Sequence, residues 1–155
     1  MERHFWFVSR DGDRHGYAMY RRHYSAKNKK PKQRQFVGPG EKMVLAGLFC
    51  EALFVWRKFI DDSRQTGVNC AVFRNESQHL SSEMIREAMG YAWERWPGER
   101  LYTTINAKKI RSTNPGYCFL MAGWRRVGIT KGGLLILEAL PENPAEGLAT
   151  GEGKE

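Results

Sequence analysis

The stretch that decides the fold is Val68 to Ile105, "VNCAVFRNESQHLSSEMIREAMGYAWERWPGERLYTTI". Its opening, Val68 to Arg74, is rich in β-forming residues and reads as a strand. In its middle, Met84, Ile85, Ala88, Met89, Ala92, Trp93 and Trp96 fall on one face at helical spacing. Ser81 or Ser82 is the expected N-cap, and Glu83 sits in the first turn, where the helix dipole favours an anion. Pro97-Gly98 ends the helix. Arg100 to Ile105 reads as a second strand. A helix between two strands allows a parallel pair joined by a right-handed crossover.

Working outward, His4 to Val8 reads as a short strand, "DGDRHG" as a turn, and Tyr17 to Tyr20 as a second short strand, together a hairpin. "VGPGEK" is a turn. Met43 to Phe49 and Ala52 to Phe59 read as antiparallel partners. Downstream, Asn114-Pro115 has the form of an N-cap followed by Pro at the first helical position. A short helix, "GYCFLMA", follows and stops at Gly123. "WRRVGIT" and "LLILEAL" form a final hairpin around "KGG". The expected class is α/β (α+β), a mixed, twisted sheet with flanking helices. Residues 1–140 make one domain, and 141–155 are expected to be a disordered acidic tail, with four Glu against Lys154.

The chain has 155 residues and 41% hydrophobic content, enough for one domain with a real core. No apolar run is long enough to span a membrane, and the short apolar segment near Met1 does not suit a secretory signal, so a cytoplasmic location is expected. Cys50, Cys70 and Cys118 are odd in number and widely spaced, and they read as reduced thiols. His4, His15 and His79 lack ligand spacing, so no metal is expected. Asp61-Asp62 reads as a solvated loop pair.

Charge is more informative. The net charge is +8, and Arg14 to Gly40 holds eight Lys or Arg with no acid: Arg14, Arg21, Arg22, Lys27, Lys29, Lys30, Lys32 and Arg34. The other 17 basic residues balance the 17 acidic ones, so the whole excess lies in that segment. A second acid-free region, Asn106 to Leu137, carries Lys108, Lys109, Arg111, Arg125, Arg126 and Lys131. If the two merge into one face, that face attracts a phosphate backbone through its long-range field and through counterion release. The bland alternative is two separate solvated loops.

Within the first basic segment, His23, Tyr24 and Ser25 carry chemistry. An imidazole can exchange a proton near neutral pH, and a tyrosine can stack on an extruded base. Asn106 and Tyr117 flank a loop between a strand end and a helix start, a common place for a site. Arg74 and the helix start at Ser81 and Ser82 could hold an anion. Plain capping, turn bonds and packing account for the same residues without any function.

The element order, with "NPGYCFLMAGW" leading into the last two strands, resembles the GNAT acyltransferase fold over roughly Met43 to Leu140. Asn114 and Gly123-Trp124 match positions often seen there. With "RRHYS" (Arg21 to Ser25), "FVWRKF" and "LYTTINAKKIRSTNPGYCFLMAGWRRVG" added, the chain resembles the Mom family of bacteriophage DNA-modification proteins. That family has a GNAT-like fold and converts adenine in DNA to an N6-carbamoylmethyl derivative, which blocks restriction.

The resemblance implies a DNA-modifying transferase in the host cytoplasm. His23, Tyr24, Ser25, Asn106 and Tyr117 would lie around the adenine, and Arg74, Ser81 and Ser82 around the donor. Arg21, Arg22, Lys27, Lys29, Lys30, Lys32, Lys108, Lys109 and Arg111 would lie on DNA. The sequence departs from the pattern in three places. "RNESQHLSSEM" lacks the Gly-rich phosphate turn of ordinary GNAT enzymes. Asn106 stands where an aspartate is expected. Phe119 stands where many GNAT enzymes have a tyrosine acid. The donor is therefore open, an acyl-CoA-type donor included, as is the oligomeric state, a homodimer included. A CoA-dependent N-acyltransferase and a non-catalytic DNA-binding protein are the alternative readings.

Overall fold

The computed structural model describes residues 4–22, 35, 37–60, 64–109 and 114–141. The elements run β1 (Trp6–Val8), α1 (Arg14–Arg21), β2 (Glu41–Gly47), β3 (Ala52–Lys58), β4 (Val68–Asn75), α2 (Ser81–Arg95), β5 (Leu101–Ile105), α3 (Tyr117–Met121), β6 (Arg125–Ile129) and β7 (Leu135–Ala139). A single 3₁₀ turn, Ala107–Lys109, follows β5. The strands form one seven-stranded mixed sheet in the order β1-β2-β3-β4-β5-β7-β6. Among the described strands only β4 and β5 pair in parallel, and α2 supplies the crossover that such a pair needs.

The sheet has a helix layer on each face. On one face, α2 and α3 cover the main core, which includes Trp6, Phe54, Trp56, Val68, Cys70, Met84, Ile85, Leu101, Phe119, Trp124 and Leu137. On the other, α1 covers a smaller cluster of Met19, Tyr20, Val44, Leu53, Val55 and Val72. Strands between two layers need apolar residues on both sides, and β3 is accordingly buried at five consecutive positions, Ala52 to Trp56.

Three expectations are corrected. Tyr17 to Tyr20 is helix, not strand. Asp13 accepts a bond from the Gly16 amide at 2.8 Å and starts α1. Met19 and Tyr20 then bury one helical face against β3 and β4. Without that hairpin, β1 pairs with β2, Trp6 opposite Gly47. The N-cap of α2 is Leu80, which has no capping side chain, rather than Ser81 or Ser82. Asn75 takes over the organising task, donating to the His79 carbonyl (2.8 Å) and the Ser81 hydroxyl (2.9 Å). The cap of α3 is Gly116 rather than Asn114. Gly116 has φ +81°, and a Cβ there would come within 2.6 Å of Leu137 and 2.8 Å of Ile105. Only glycine allows the turn and the close approach together.

The sequence pattern of α2 missed its most connected residue. Glu87 is buried, and its carboxylate accepts from the backbone amides of His4 (2.6 Å), Phe5 (3.1 Å) and Trp6 (2.9 Å). Trp6 also donates its indole N–H to the Met84 carbonyl (2.8 Å), and Tyr91 donates to the Trp6 carbonyl (3.0 Å). A buried carboxylate is tolerated because each amide it desolvates becomes its partner.

Candidate functional site

The site arises where the parallel pair fails to continue. The β4–β5 ladder pairs Val68 with Leu101 and Asn69 with Tyr102, and pairs nothing beyond. Two local features sustain the opening. In β4, Ala71 is an extra residue against β3, since Val55 pairs Val72 and Trp56 pairs Cys70. Such a bulge bends its strand. In β5, the Thr103 hydroxyl donates to the Cys70 carbonyl at 2.9 Å, supplying a donor where the ladder has ended. The vertex is fixed from below, where Gly67 (φ +110°) packs against the Arg100 backbone and the Val68 amide donates to the Arg100 carbonyl at 2.7 Å.

Beyond the vertex lies a cavity of about 270 Å³, lined by Asn69, Cys70, Ala71, Thr104, Asn106, Lys109 and Leu134. Strand alternation explains the lining. Val68, Cys70, Leu101 and Ile105 point into the core under α2, which leaves Asn69 and Thr104 on the opposite face. Asn106 ends β5. Its Oδ1 accepts from the Lys108 amide (3.1 Å) and its carbonyl from the Lys109 amide (3.0 Å), so it builds the 3₁₀ turn that brings Lys109 to the cavity. Lys108 and Lys109 are exposed and form no ion pair among the described residues. Burial pushes the Cys70 thiol up, so this wall presents no thiolate near neutral pH.

The structure thus brings Asn106 and Lys109 together, with Lys108 beside them. It does not bring Tyr117 to them. Tyr117 is exposed at the start of α3, the helix that packs with α2 on the other face of the sheet, and it is not part of the cavity lining. Phe119 is core, packed on Trp124 and Phe73.

At the C-terminal end of β4 a second cluster ties α1 to the sheet. Arg22 donates to both Glu76 oxygens (2.7 and 2.9 Å), Arg74 donates to Glu76 (2.5 Å), and Arg74 also donates to the Arg22 carbonyl (2.7 Å). Arg22 and then Arg74 hold the Glu76 carboxyl down at about 2. Arg74 therefore already has its carboxylate, the Ser81 hydroxyl belongs to the Asn75 network, and Ser82 is buried. Arg21 lies beside the Tyr17 ring, its Nη1 3.2 Å from that hydroxyl. His23, Tyr24, Ser25, Lys27, Lys29, Lys30, Lys32 and Arg111 lie outside the described residues, as does the tail from residue 142.

Sequence reasoning missed Asn69. The available signal was an amide in a strand otherwise built of apolar residues. Asn69 is half-buried, and its Oδ1 is fully buried with no hydrogen-bond donor among the described residues. Among the described residues, no group of three or more His, Cys, Asp or Glu is placed to hold a metal, and no helix is long and apolar enough to cross a membrane. Comparison of the chain with known families, curated proteins and solved structures gives no match.

Proposed function

We propose that the protein is a GNAT-like transferase that modifies adenine in DNA, placing a carbamoylmethyl-type group on N6. One observation carries the reading. The opening between β4 and β5 forms a polar cavity whose rim is cationic, with Lys109 in its lining and Lys108 next to it. A base extruded from DNA needs such a pocket, and its flanking phosphates need such a rim. The acid-free charge of Arg14 to Gly40 extends the same preference for a polyanion.

In the transfer, a new N6–C bond replaces one N6–H bond. The proton leaves to a base, and the donor's leaving group departs with its bonding pair. The ring withdraws the N6 lone pair, so orientation and proton removal are the main demands on the enzyme. Asn106 can orient through hydrogen bonds but cannot take the proton. His23 is the candidate base, and it directly follows Arg22, which the Glu76 cluster anchors at the open end of β4. The donor remains of the acyl-CoA type or another. Arg74, Ser81 and Ser82 are engaged or buried, which argues against a donor held there by its phosphates.

The test is mass spectrometry of nucleosides from plasmid DNA co-expressed with the protein. A new deoxyadenosine derivative supports the reading, and its mass identifies the group. Unmodified nucleosides together with a thermal shift on acetyl-CoA would replace the reading with an N-acyltransferase. DNA binding without modified nucleosides, and indifferent to His23→Ala, would make it a non-catalytic DNA-binding protein.

A further inference from the structure

The two edges of the sheet differ. The outer edge of β1 is sealed by α2, where Glu87 accepts the Trp6 amide (2.9 Å) and Tyr91 donates to the Trp6 carbonyl (3.0 Å). β6, at the other end of the sheet, is exposed at all five positions, and among the described residues nothing pairs with its outer side. An open edge is a template for another extended segment. The charge on this edge is also uncompensated. Arg125 shares Glu138 with Arg100, but Arg126 donates to the neutral Asn114 side chain, and Lys131 is exposed in the turn that follows. Neither Arg126 nor Lys131 forms an ion pair among the described residues. Between them lie the exposed apolar side chains of Val127 and Ile129.

We propose that residues 142–155 of the same chain dock along this edge, parallel to β6, and close it. The inference is independent of the function proposed above. Charge selects this occupant first. The segment carries Glu142, Glu146, Glu152 and Glu155 against Lys154, in a chain of net charge +8. A second copy of β6 would instead add like charge to the edge. The starting point fits as well. β7 ends at Ala139 and its Glu138 pairs with Arg125, so the chain leaves the sheet one strand away from the open edge, at the start of β6. Crossing β6 takes about 10 Å, two strand spacings, which residues 142–145 can span when extended. Pro144 falls in that crossing, where no N–H is needed. The order of the residues then matches. Glu146, Leu148 and Glu152 follow one another as Arg126, Val127 with Ile129, and Lys131 do. In extended chain Glu146 to Glu152 covers about 20 Å and Arg126 to Lys131 about 17 Å. Glu146, Leu148 and Glu152 also share one face of an extended strand. Opposite charges and apolar pairs on neighbouring strands favour this register. Docked, the segment covers Arg126 and Lys131 and withholds them from any other polyanion.

The experiment is hydrogen exchange of the full-length protein, read by mass spectrometry on peptides covering β6, at low and at high ionic strength. Each variant is first matched to the wild type by urea unfolding. At low salt, Glu146→Gln with Glu152→Gln should speed exchange in β6 by roughly 2- to 30-fold, the range that two exposed ion pairs provide. The difference should vanish at high salt. Arg126→Glu with Lys131→Glu should speed exchange equally, and adding Glu146→Lys and Glu152→Lys should restore the protection. Carbodiimide cross-linking of an equal mixture of isotope-labelled and unlabelled wild type should join Glu152 to Lys131 within one chain. Equal exchange in the wild type and the double glutamine variant at low salt overturns the docking. Cross-links from the segment's glutamates to Lys27, Lys29, Lys30, Lys32, Lys108 or Lys109 overturn its location. Links between labelled and unlabelled chains overturn occupancy by the same chain.

Discussion

Replacing Glu87 with alanine tests whether one carboxylate ties the edge strand to the sheet. Glu87 is 4% exposed and accepts the amides of His4, Phe5 and Trp6. His4 is exposed, so water can take over its amide, but Trp6 is 2% exposed and Phe5 is half-buried. Two charge-assisted bonds are therefore lost without replacement, each costing about 1.5–3 kcal/mol. The total is about 3–6 kcal/mol, which for a domain of this size corresponds to roughly 6–24 °C in Tm. Glu87→Gln should cost less, since one oxygen stays to accept.

The assay is urea unfolding followed by tryptophan fluorescence, combined with hydrogen exchange of the Trp6, Phe7 and Val8 amides. If β1 unfolds with the whole sheet, the midpoint falls by the amount above. If β1 can detach alone, exchange at those three amides accelerates first while the remaining core keeps its protection. An alanine variant within about 1 kcal/mol of wild type, with those amides still protected, would refute the reasoning, because it would mean that the amides find other partners.

Thr103→Val removes the hydroxyl at the cleft vertex, leaves the Cys70 carbonyl without its donor, and should cost about 1–3 kcal/mol in urea unfolding, whereas Thr103→Ser should cost less. Gly116→Ala combines a left-handed backbone with a Cβ 2.6 Å from Leu137, and should lower stability by about 2–4 kcal/mol in the same measurement. Glu76 is held down at about 2 by Arg22 and Arg74, and the Glu138 carboxyl is held below its usual range by Arg100 and then Arg125. Both folded values lie below the unfolded ones, so both groups stabilise the fold above the ordinary glutamate range and lose that contribution as pH falls towards about 2. The urea midpoint should therefore fall between neutral pH and pH 3, and less steeply in Glu138→Gln. Lys108→Ala with Lys109→Ala should weaken DNA binding at every sequence and flatten its salt dependence, as anisotropy titrations at several salt concentrations would show.

Much of the sheet was legible from local pattern. The α2 stripe, the strand on either side of it, the β2–β3 pair and the final β6–β7 hairpin all depend on residues within a few positions of one another. Where the reading failed, a local preference met a distant partner. Tyr17 to Tyr20 has strand-forming residues, yet Met19 and Tyr20 bury against β3 and β4 as helix. Ser81 looks like a cap, yet Asn75 takes its hydroxyl and Leu80 stands at the cap position. Asn106 was legible as a strand-end residue and does line the cavity, while Tyr117, chosen from the same stretch, sits on α3 away from it.

The sequence by itself determined a mixed sheet with one crossover helix and a concentrated positive charge, because hydrophobic period and charge are written along the chain. Only the tertiary structure decided that the parallel pair stops after Asn69 and Tyr102, that a bulge at Ala71 and a hydroxyl on Thr103 hold it open, and that Asn69 faces the gap. Those are matters of register between strands distant in sequence, Asn69 and Tyr102 being more than thirty residues apart, and a shift of one residue would turn Asn69 towards the core.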